Sequence, residues 1–119
     1  MAYTKAVRPL HTVVQLDEFI SQAKSLMSDD ERERIVDFLA AHPGSGTALG
    51  GGLFKLRFAR PGAGKSGGLR TIYLFVGEKM PIFLLSVFAK NRKENLAPTE
   101  RVAMIALGKQ LIEKYGELR

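Results

Sequence analysis

A chain of 119 residues has the usual length of one domain, which excludes a multi-domain enzyme or a long repeat array. Hydrophobic residues make up 45% and charged residues 25%, as in folded proteins, and the absence of cysteine excludes disulfide scaffolds, zinc fingers, iron–sulfur clusters and thiol catalysis. The formal net charge of +6 favours a polyanionic partner, and with only His11 and His42 as soft metal ligands we expect no metal and no other cofactor.

The first third of the chain is predicted to form a short strand followed by a helical hairpin. His11–Gln15 favours a strand, and apolar residues recur at helical spacing across Asp17–Met27. Ser28 begins a Ser-Asp-Asp-Glu capping box, which predicts a second helix running to about Ala41. The His-Pro-Gly sequence that follows ends this helix and leads into a glycine-rich loop through Gly52.

The middle of the chain is predicted to form three strands. Leu53–Phe58 alternates with period two, which places Lys55 and Arg57 on the face opposite its aromatic residues. Leu69–Val76 and Ile82–Phe88 are rich in β-branched and aromatic residues and are separated by a short turn, so they predict a hairpin.

A last helix is predicted from Pro98 to near Gly116, because proline suits the first helical position and a broad apolar stripe follows. The stripe consists of Val102, Ile105, Leu107, Leu111, Ile112 and Tyr115. The element order predicts one α+β domain over residues 1–119, in which the N-terminal helical hairpin and the C-terminal helix cover one side of a small antiparallel sheet.

No segment has the hydropathy of a membrane span or an export signal. The longest apolar run, Ile82–Leu85, is far shorter than the roughly 18 residues that a membrane span needs. The N-terminus lacks the apolar run of a signal peptide, so we expect a cytoplasmic protein without a membrane partner.

One motif matches a permissive phosphate-binding loop, the Gly-Ala-Gly-Lys-Ser string within Ala59–Ser66. A phosphate-binding loop must open a helix, whereas a strand-like run follows here, which argues against a nucleoside triphosphatase. We interpret the segment as a flexible basic hairpin loop whose glycines let Lys65 approach a ligand.

Basic residues are concentrated in the central third of the chain. Residues 1–54 contain five basic and seven acidic side chains, whereas residues 55–93 contain nine basic side chains and one acidic side chain. The central segment therefore has a net charge of +8, more than the excess of the whole chain. Solubility alone requires only acidic and basic side chains interspersed along the surface. The segregation of basic side chains therefore indicates a polyanion such as nucleic acid as the ligand.

Three segments together carry a family resemblance, namely Gly51–Phe58, Gly64–Tyr73 and Ala89–Leu96. They resemble the corresponding segments of the RelE/HigB-like toxins of bacterial toxin–antitoxin modules, and the likeness extends from the helical hairpin to the final helix. The resemblance implies an mRNA endoribonuclease that enters the ribosomal A site, contacts ribosomal RNA and cuts the message there. It also implies a cognate antitoxin that holds the protein inactive.

The resemblance further implies a catalytic site. Lys55, Arg57 and Arg70 match basic catalytic positions of the family, and Tyr73 is a candidate for proton transfer. Arg57 and Arg70 are expected to clamp the scissile phosphate, because a guanidinium presents a fixed fork of donors and stays charged, while Lys55 is the candidate base. The residues expected to hold flanking phosphates or ribosomal RNA are Lys65, Lys90, Arg92 and Lys93.

The chemistry of RNA is compatible with such a site. The ribose 2′-hydroxyl can attack the adjacent phosphate without a metal, leaving a 2′,3′-cyclic phosphate and a 5′-hydroxyl. The protein must then supply alignment, positive charge, a base and an acid. Strict alternation separates Arg70 from Tyr73, so either Arg70 lies at a strand-end twist or Tyr73 is a core residue. We expect Arg70→Ala to abolish growth arrest with folding and antitoxin binding unchanged.

Two other functions compete with the ribonuclease. A toxin of the same fold could poison DNA gyrase, which would not need Lys55, Arg57 and Arg70 to be clustered. Alternatively, the basic face could belong to a catalytically silent module that binds RNA or a protein partner, in which case the message would be bound but not broken.

Overall fold

A computed structural model of the chain describes residues 10–59, 68–90 and 95–117. Its elements in chain order are β1 (Val13–Gln15), α1 (Asp17–Leu26), α2 (Asp29–Ala41), β2 (Thr47–Gly50), β3 (Leu53–Phe58), β4 (Leu69–Leu74), β5 (Ile82–Ala89) and α3 (Pro98–Glu117). The predicted α+β class is confirmed, and the predicted helices and strands are all present, with boundaries that differ by up to two residues.

The helical hairpin forms because its second helix has a complete cap. The Glu31 amide donates to Ser28 Oγ at 3.1 Å, and Glu31 Oε1 accepts from the Ser28 amide at 2.9 Å. These two bonds satisfy donors that would otherwise be unpaired at the start of α2. The apolar side of the hairpin packs on the sheet through fully or nearly buried residues, which include Phe19, Ala23, Ile35 and Leu39.

The sheet has five strands in the order β1-β5-β4-β3-β2. The expectation of a purely antiparallel sheet was wrong, because β1 pairs parallel to β5 with Val13 opposite Ile82. β2 was also missed, since Thr47–Gly50 lies in the segment interpreted as a loop. Its link to β3 is a tight turn at Gly51 and Gly52, whose φ angles of 64° and 86° are accessible to glycine at little cost.

Helices cover both faces of the sheet, whereas the sequence pattern was interpreted as helices on one side only. The hairpin packs over one face, and α3 packs over the other. All six residues of β4 are buried as a result. The α3 residues that pack against the sheet include Met104, Ile105, Leu111, Ile112 and Tyr115. Val102 and Leu107, predicted to be part of the apolar stripe, are instead 68% and 37% exposed.

An irregularity in β5 sets the register at one end of the sheet. The pairing of β4 with β5 shifts between Ile72 and Tyr73. The side chain of Gln22 from α1 binds this place, because its Oε1 accepts from the Val87 amide at 2.9 Å and from Ser86 Oγ at 3.1 Å. Such bulges redirect a strand locally. Beyond the shift, Phe88 lies opposite Arg70 of β4.

Candidate active site

Two arginines face each other across neighbouring strands. Arg57 of β3 pairs with Arg70 of β4, on the face of the sheet that α3 covers. Directly opposed residues of antiparallel strands have Cβ atoms about 4.5–5.5 Å apart, and like charges at this distance destabilise the sheet. A bound anion would offset that repulsion, so the pair is suited to hold a phosphate.

A lysine extends this pair along β3. Lys55 lies on the same face as Arg57, two residues and therefore about 7 Å away along the strand. Its side chain is half-buried, and Nζ donates to Asn95 Oδ1 at 2.5 Å. The structure thus brings Lys55, Arg57 and Arg70 to one face, and we refer to these three residues as the cationic cluster.

The two arginines differ in exposure. Arg57 is exposed, whereas Arg70 is only 3% exposed and lies opposite Phe88 of β5. A Cβ atom on Gly68 would lie 3.4 Å from Arg70 Nη1, so the guanidinium extends beside the backbone at the start of β4. Low-dielectric surroundings strengthen a charged hydrogen bond. Arg70 is therefore the buried hydrogen-bond donor of the cluster, and Arg57 is the arginine that is accessible to solvent.

Lys90 lies at the same end of the sheet as Arg70. It directly follows β5, and its amide donates to Gly68 O at 2.9 Å, beside the start of β4. This position suits the expected contact with a flanking phosphate. The other three predicted RNA-binding residues, Lys65, Arg92 and Lys93, lie outside the described residues, as does the whole Gly-Ala-Gly-Lys-Ser string.

Tyr73 does not join the cationic cluster. It lies on the opposite face of β4 from Arg70, is fully buried, and stacks on Phe54 with a ring separation of 5.4 Å. Its hydroxyl donates to Pro43 O at 2.8 Å and accepts from the Gly46 amide at 3.0 Å. This position does not support the predicted role of Tyr73 in proton transfer. Of the two arrangements that strand alternation left open, the structure has the one in which Tyr73 is a core residue, and its hydroxyl holds the loop after α2.

This structural role can be measured by removing one oxygen atom. Tyr73→Phe should lower the free energy of unfolding by about 1–3 kcal/mol, because Pro43 O and the Gly46 amide lose a buried partner. The toxic activity of the folded protein should be unchanged. A stable variant without toxicity would show instead that the hydroxyl takes part in catalysis.

The same tyrosine should make stability depend on alkaline pH. Burial raises the pKa of the Tyr73 hydroxyl above 10.0, although hydrogen bonds from Gly46 and Ser45 oppose the shift. The unfolded chain therefore ionises first, so this contribution to stability is present below about pH 10 and lost as pH rises through the folded-state pKa. Denaturant unfolding between neutral pH and about pH 11 should show a steeper loss for the wild type than for Tyr73→Phe.

The charge segregation along the sequence becomes a separation across the sheet. Residues 17–41, which form the α1–α2 hairpin, carry seven acidic and three basic side chains. This hairpin covers the face opposite the cationic cluster. A molecule with opposite charges on its two sides is oriented by a polyanion as it approaches. The cluster would therefore face the polyanion, and the acidic hairpin would face away from it.

Both histidines lie away from the cluster. They line a cavity of about 770 Å³ together with Phe75 and Tyr115, at the other end of β4. His11 Nε2 lies 3.2 Å from both Gly77 O and Met80 O, so this ring braces the turn between β4 and β5.

Among the described residues, no three acidic or histidine side chains form a group that could hold a metal ion. Within the same ranges, no helix is long and apolar enough to span a membrane.

Sequence reasoning gave no role to two residues that contact or flank the cluster. Phe88 was read only as part of a strand, and its place beside Arg70 depends on the register shift in β5. Asn95 lies within the third family-like segment, yet the bond to Lys55 joins residues that are 40 positions apart in the chain. The position of Asn95 in that segment was the available signal.

Comparison with known proteins identifies the family of the chain. Residues 17–117 match the family described as the RelE toxin of the RelE/RelB toxin–antitoxin system. Among solved structures, the chain resembles an arginine-to-alanine double mutant of E. coli toxin RelE in the free state, with a TM-score of 0.54 and 17% sequence identity. The match covers 71% of this chain and 88% of the E. coli chain, and at this identity it concerns the fold. Because the family match spans most of its length, the chain belongs to the RelE toxin family and is the toxin of a toxin–antitoxin module.

Proposed function

We propose that this toxin is a ribosome-dependent endoribonuclease that cleaves mRNA in the ribosomal A site and thereby inhibits translation. Toxins of the RelE family have this activity. The observation that carries the proposal is the direct opposition of Arg57 and Arg70 on one face of the sheet, with Lys55 beside them. Like charges directly opposed across two strands repel each other, and guanidinium groups bind phosphate oxygens through paired hydrogen bonds.

In this proposal the cationic cluster provides the positive charge that cleavage by the 2′-hydroxyl requires. As the 2′-oxygen attacks, the phosphate gains negative charge before the 5′-oxygen leaves. Arg57 and Arg70 are placed to stabilise that charge, because guanidinium groups donate paired hydrogen bonds to phosphate oxygens and stay protonated. Arg70 is fixed by burial, so its donors need little rearrangement when the transition state forms.

Lys55 is the proposed partner for the 2′-hydroxyl. It lies on the same face as the two arginines and close enough for one nucleotide to contact all three groups. In this mechanism the neutral amine of Lys55 takes the 2′-hydroxyl proton, and the bond from the 2′-oxygen to phosphorus forms as the bond to the 5′-oxygen breaks. The leaving 5′-oxygen takes a proton from solvent water, so the products are a 2′,3′-cyclic phosphate and a 5′-hydroxyl. The protein needs no nucleophile of its own, because the ribose 2′-hydroxyl of the RNA attacks the phosphate.

Substrate and partner follow from the same charges. The basic side of the molecule suits mRNA and the surrounding ribosomal RNA, with Lys90 near the flanking backbone. The proposed RNA contacts of Lys65, Arg92 and Lys93 would extend this surface.

A cognate antitoxin would prevent toxicity by covering the cluster or by adding bulk that blocks entry to the ribosome. Cleavage occurs in the cytoplasm in this proposal, where translating ribosomes are found.

Mapping the 5′ ends of a translated mRNA tests the proposal. Purified toxin should generate new ends within A-site codons when ribosomes are present and none when they are absent. Growth arrest with an intact message would contradict the proposal and favour the gyrase-poisoning toxin. Salt-sensitive binding of RNA without cleavage would contradict it in favour of a silent binding module.

A further inference from the structure

The ammonium group of Lys55 has a partner from a distant part of the chain. Lys55 Nζ donates to Asn95 Oδ1 at 2.5 Å, across 40 positions in sequence. An ammonium group can only donate, so the amide oxygen must be the acceptor, and the Asn95 amide nitrogen points elsewhere. One Lys55 N–H is therefore used within the protein. When Lys55 acts as the base it is the neutral amine, which can keep this N–H···O bond while its lone pair takes the 2′-hydroxyl proton.

Asn95 has an exposed side chain and directly precedes residues that are anchored in the fold. The next residue, Leu96, packs against the apolar cluster beneath α3. The amide of Ala97 donates to Glu100 Oε1 at 2.9 Å, and Ala97 O accepts from the Arg101 amide at 3.0 Å, which fixes the first turn of α3. Asn95 is thus followed directly by residues anchored in the core and at the helix start, and its side chain serves as an acceptor for the lysine.

A fixed acceptor matters because lysine is flexible. Ordering a free lysine side chain costs about 1.5–2 kcal/mol of rotamer entropy, which would otherwise be lost at each substrate encounter. A carboxamide holds the ammonium group without cancelling its charge, whereas a carboxylate at the same place would neutralise part of the cationic cluster. The residue type at position 95 therefore suits a role in orienting Lys55 towards RNA.

We propose that Asn95 is a positioning residue that orients Lys55 for mRNA cleavage. The inference rests on the proposed endoribonuclease function. Asn95 acts through Lys55, so its loss should slow the chemical step, while the affinity for the ribosome should change little. A side chain with only a structural role would instead lower stability and would affect variants with and without Lys55 equally.

A double-mutant cycle tests this inference, using single-turnover cleavage of mRNA on programmed ribosomes. Asn95→Ala should lower the maximal rate about tenfold, as expected for loss of one hydrogen bond to a charged group, with little change in the half-saturating toxin concentration. In a Lys55→Ala background, the same change should cost no further activity. If the two substitutions lowered the rate independently, so that their effects multiplied in the double variant, the inference would be overturned. An unchanged rate for Asn95→Ala would also overturn it.

Two further variants separate the role of the oxygen acceptor from other effects. Asn95→Asp retains an acceptor of the same size, so its maximal rate should exceed that of Asn95→Ala, while its charge should raise the half-saturating concentration. An equally slow Asn95→Asp would count against positioning by the oxygen. Gln110→Ala removes an exposed amide on α3, outside the cationic cluster, and should leave both quantities unchanged.

The controls also distinguish failure of the inference from failure of the function. Wild-type toxin that leaves the message intact would refute the proposed endoribonuclease. Lys55→Ala with full activity would remove Lys55 from the chemistry, and the role of Asn95 with it. Active wild type, inactive Lys55→Ala and fully active Asn95→Ala would refute only the positioning role.

Discussion

Replacing Arg57 by alanine should reduce mRNA cleavage about 10²–10³-fold, the usual loss when one donor to a transition-state oxyanion is removed. Arg57 is exposed, so the free energy of unfolding should change by less than about 0.5 kcal/mol. Single-turnover cleavage on ribosomes and denaturant unfolding measure the two quantities.

Lys109→Ala provides a control for Arg57→Ala with the same change in charge. Lys109 is exposed on α3, outside the cationic cluster. Its loss should weaken association slightly at low salt and leave the maximal cleavage rate unchanged. Equal losses in the two variants would show that total charge, and not the arginine pair, determines activity.

Replacing Arg70 should have the largest effect on cleavage, but it should also affect folding. The sequence alone led us to expect an Arg70→Ala variant with unchanged folding. Arg70 is only 3% exposed in a central strand, so truncation also removes packing and should cost about 1–3 kcal/mol of stability. Arg70→Lys keeps the charge but loses the planar fork, and a loss of about tenfold to a hundredfold in cleavage rate is expected.

A neighbouring residue controls for the loss of stability. Leu69 precedes Arg70 on β4, faces the helical hairpin and is 2% exposed. Leu69→Ala should lose about 2–5 kcal/mol of stability, at least as much as Arg70→Ala, yet its folded fraction should still cleave mRNA. If Leu69→Ala and Arg70→Lys lost activity in proportion to unfolding, Arg70 would have no special role in the chemistry.

The sequence predicted those elements whose signals are local. The capping box at Ser28 and the alternation of Leu53–Phe58 each specify one element within a few residues, and both are present. The side of the sheet that α3 covers depends on tertiary packing. A signal for cover on both faces was available in Ile82–Ala89, in which every residue except Ser86 is apolar, since an almost continuous apolar strand is typical of a sheet buried on both sides.

The candidate site was predictable in part for a similar reason. Alternation alone placed Lys55 and Arg57 together, because both lie on one strand. Placing Arg70 opposite Arg57 requires the register between β3 and β4. That register depends on the long loop between the two strands and cannot be deduced from the strand sequences alone. The hydroxyl partners of Tyr73, at Pro43 and Gly46, come from a loop distant in sequence, so its structural role became evident only in the fold.

The most direct test of the account replaces one oxygen atom in the RNA. An mRNA with a single 2′-deoxyribose on the 5′ side of the scissile phosphate should resist the toxin on programmed ribosomes, although the toxin still binds. The matched all-ribose message should be cut there to a 2′,3′-cyclic phosphate and a 5′-hydroxyl. Cleavage of the deoxy-substituted message at the same position would contradict a mechanism in which the cationic cluster assists attack by the ribose itself.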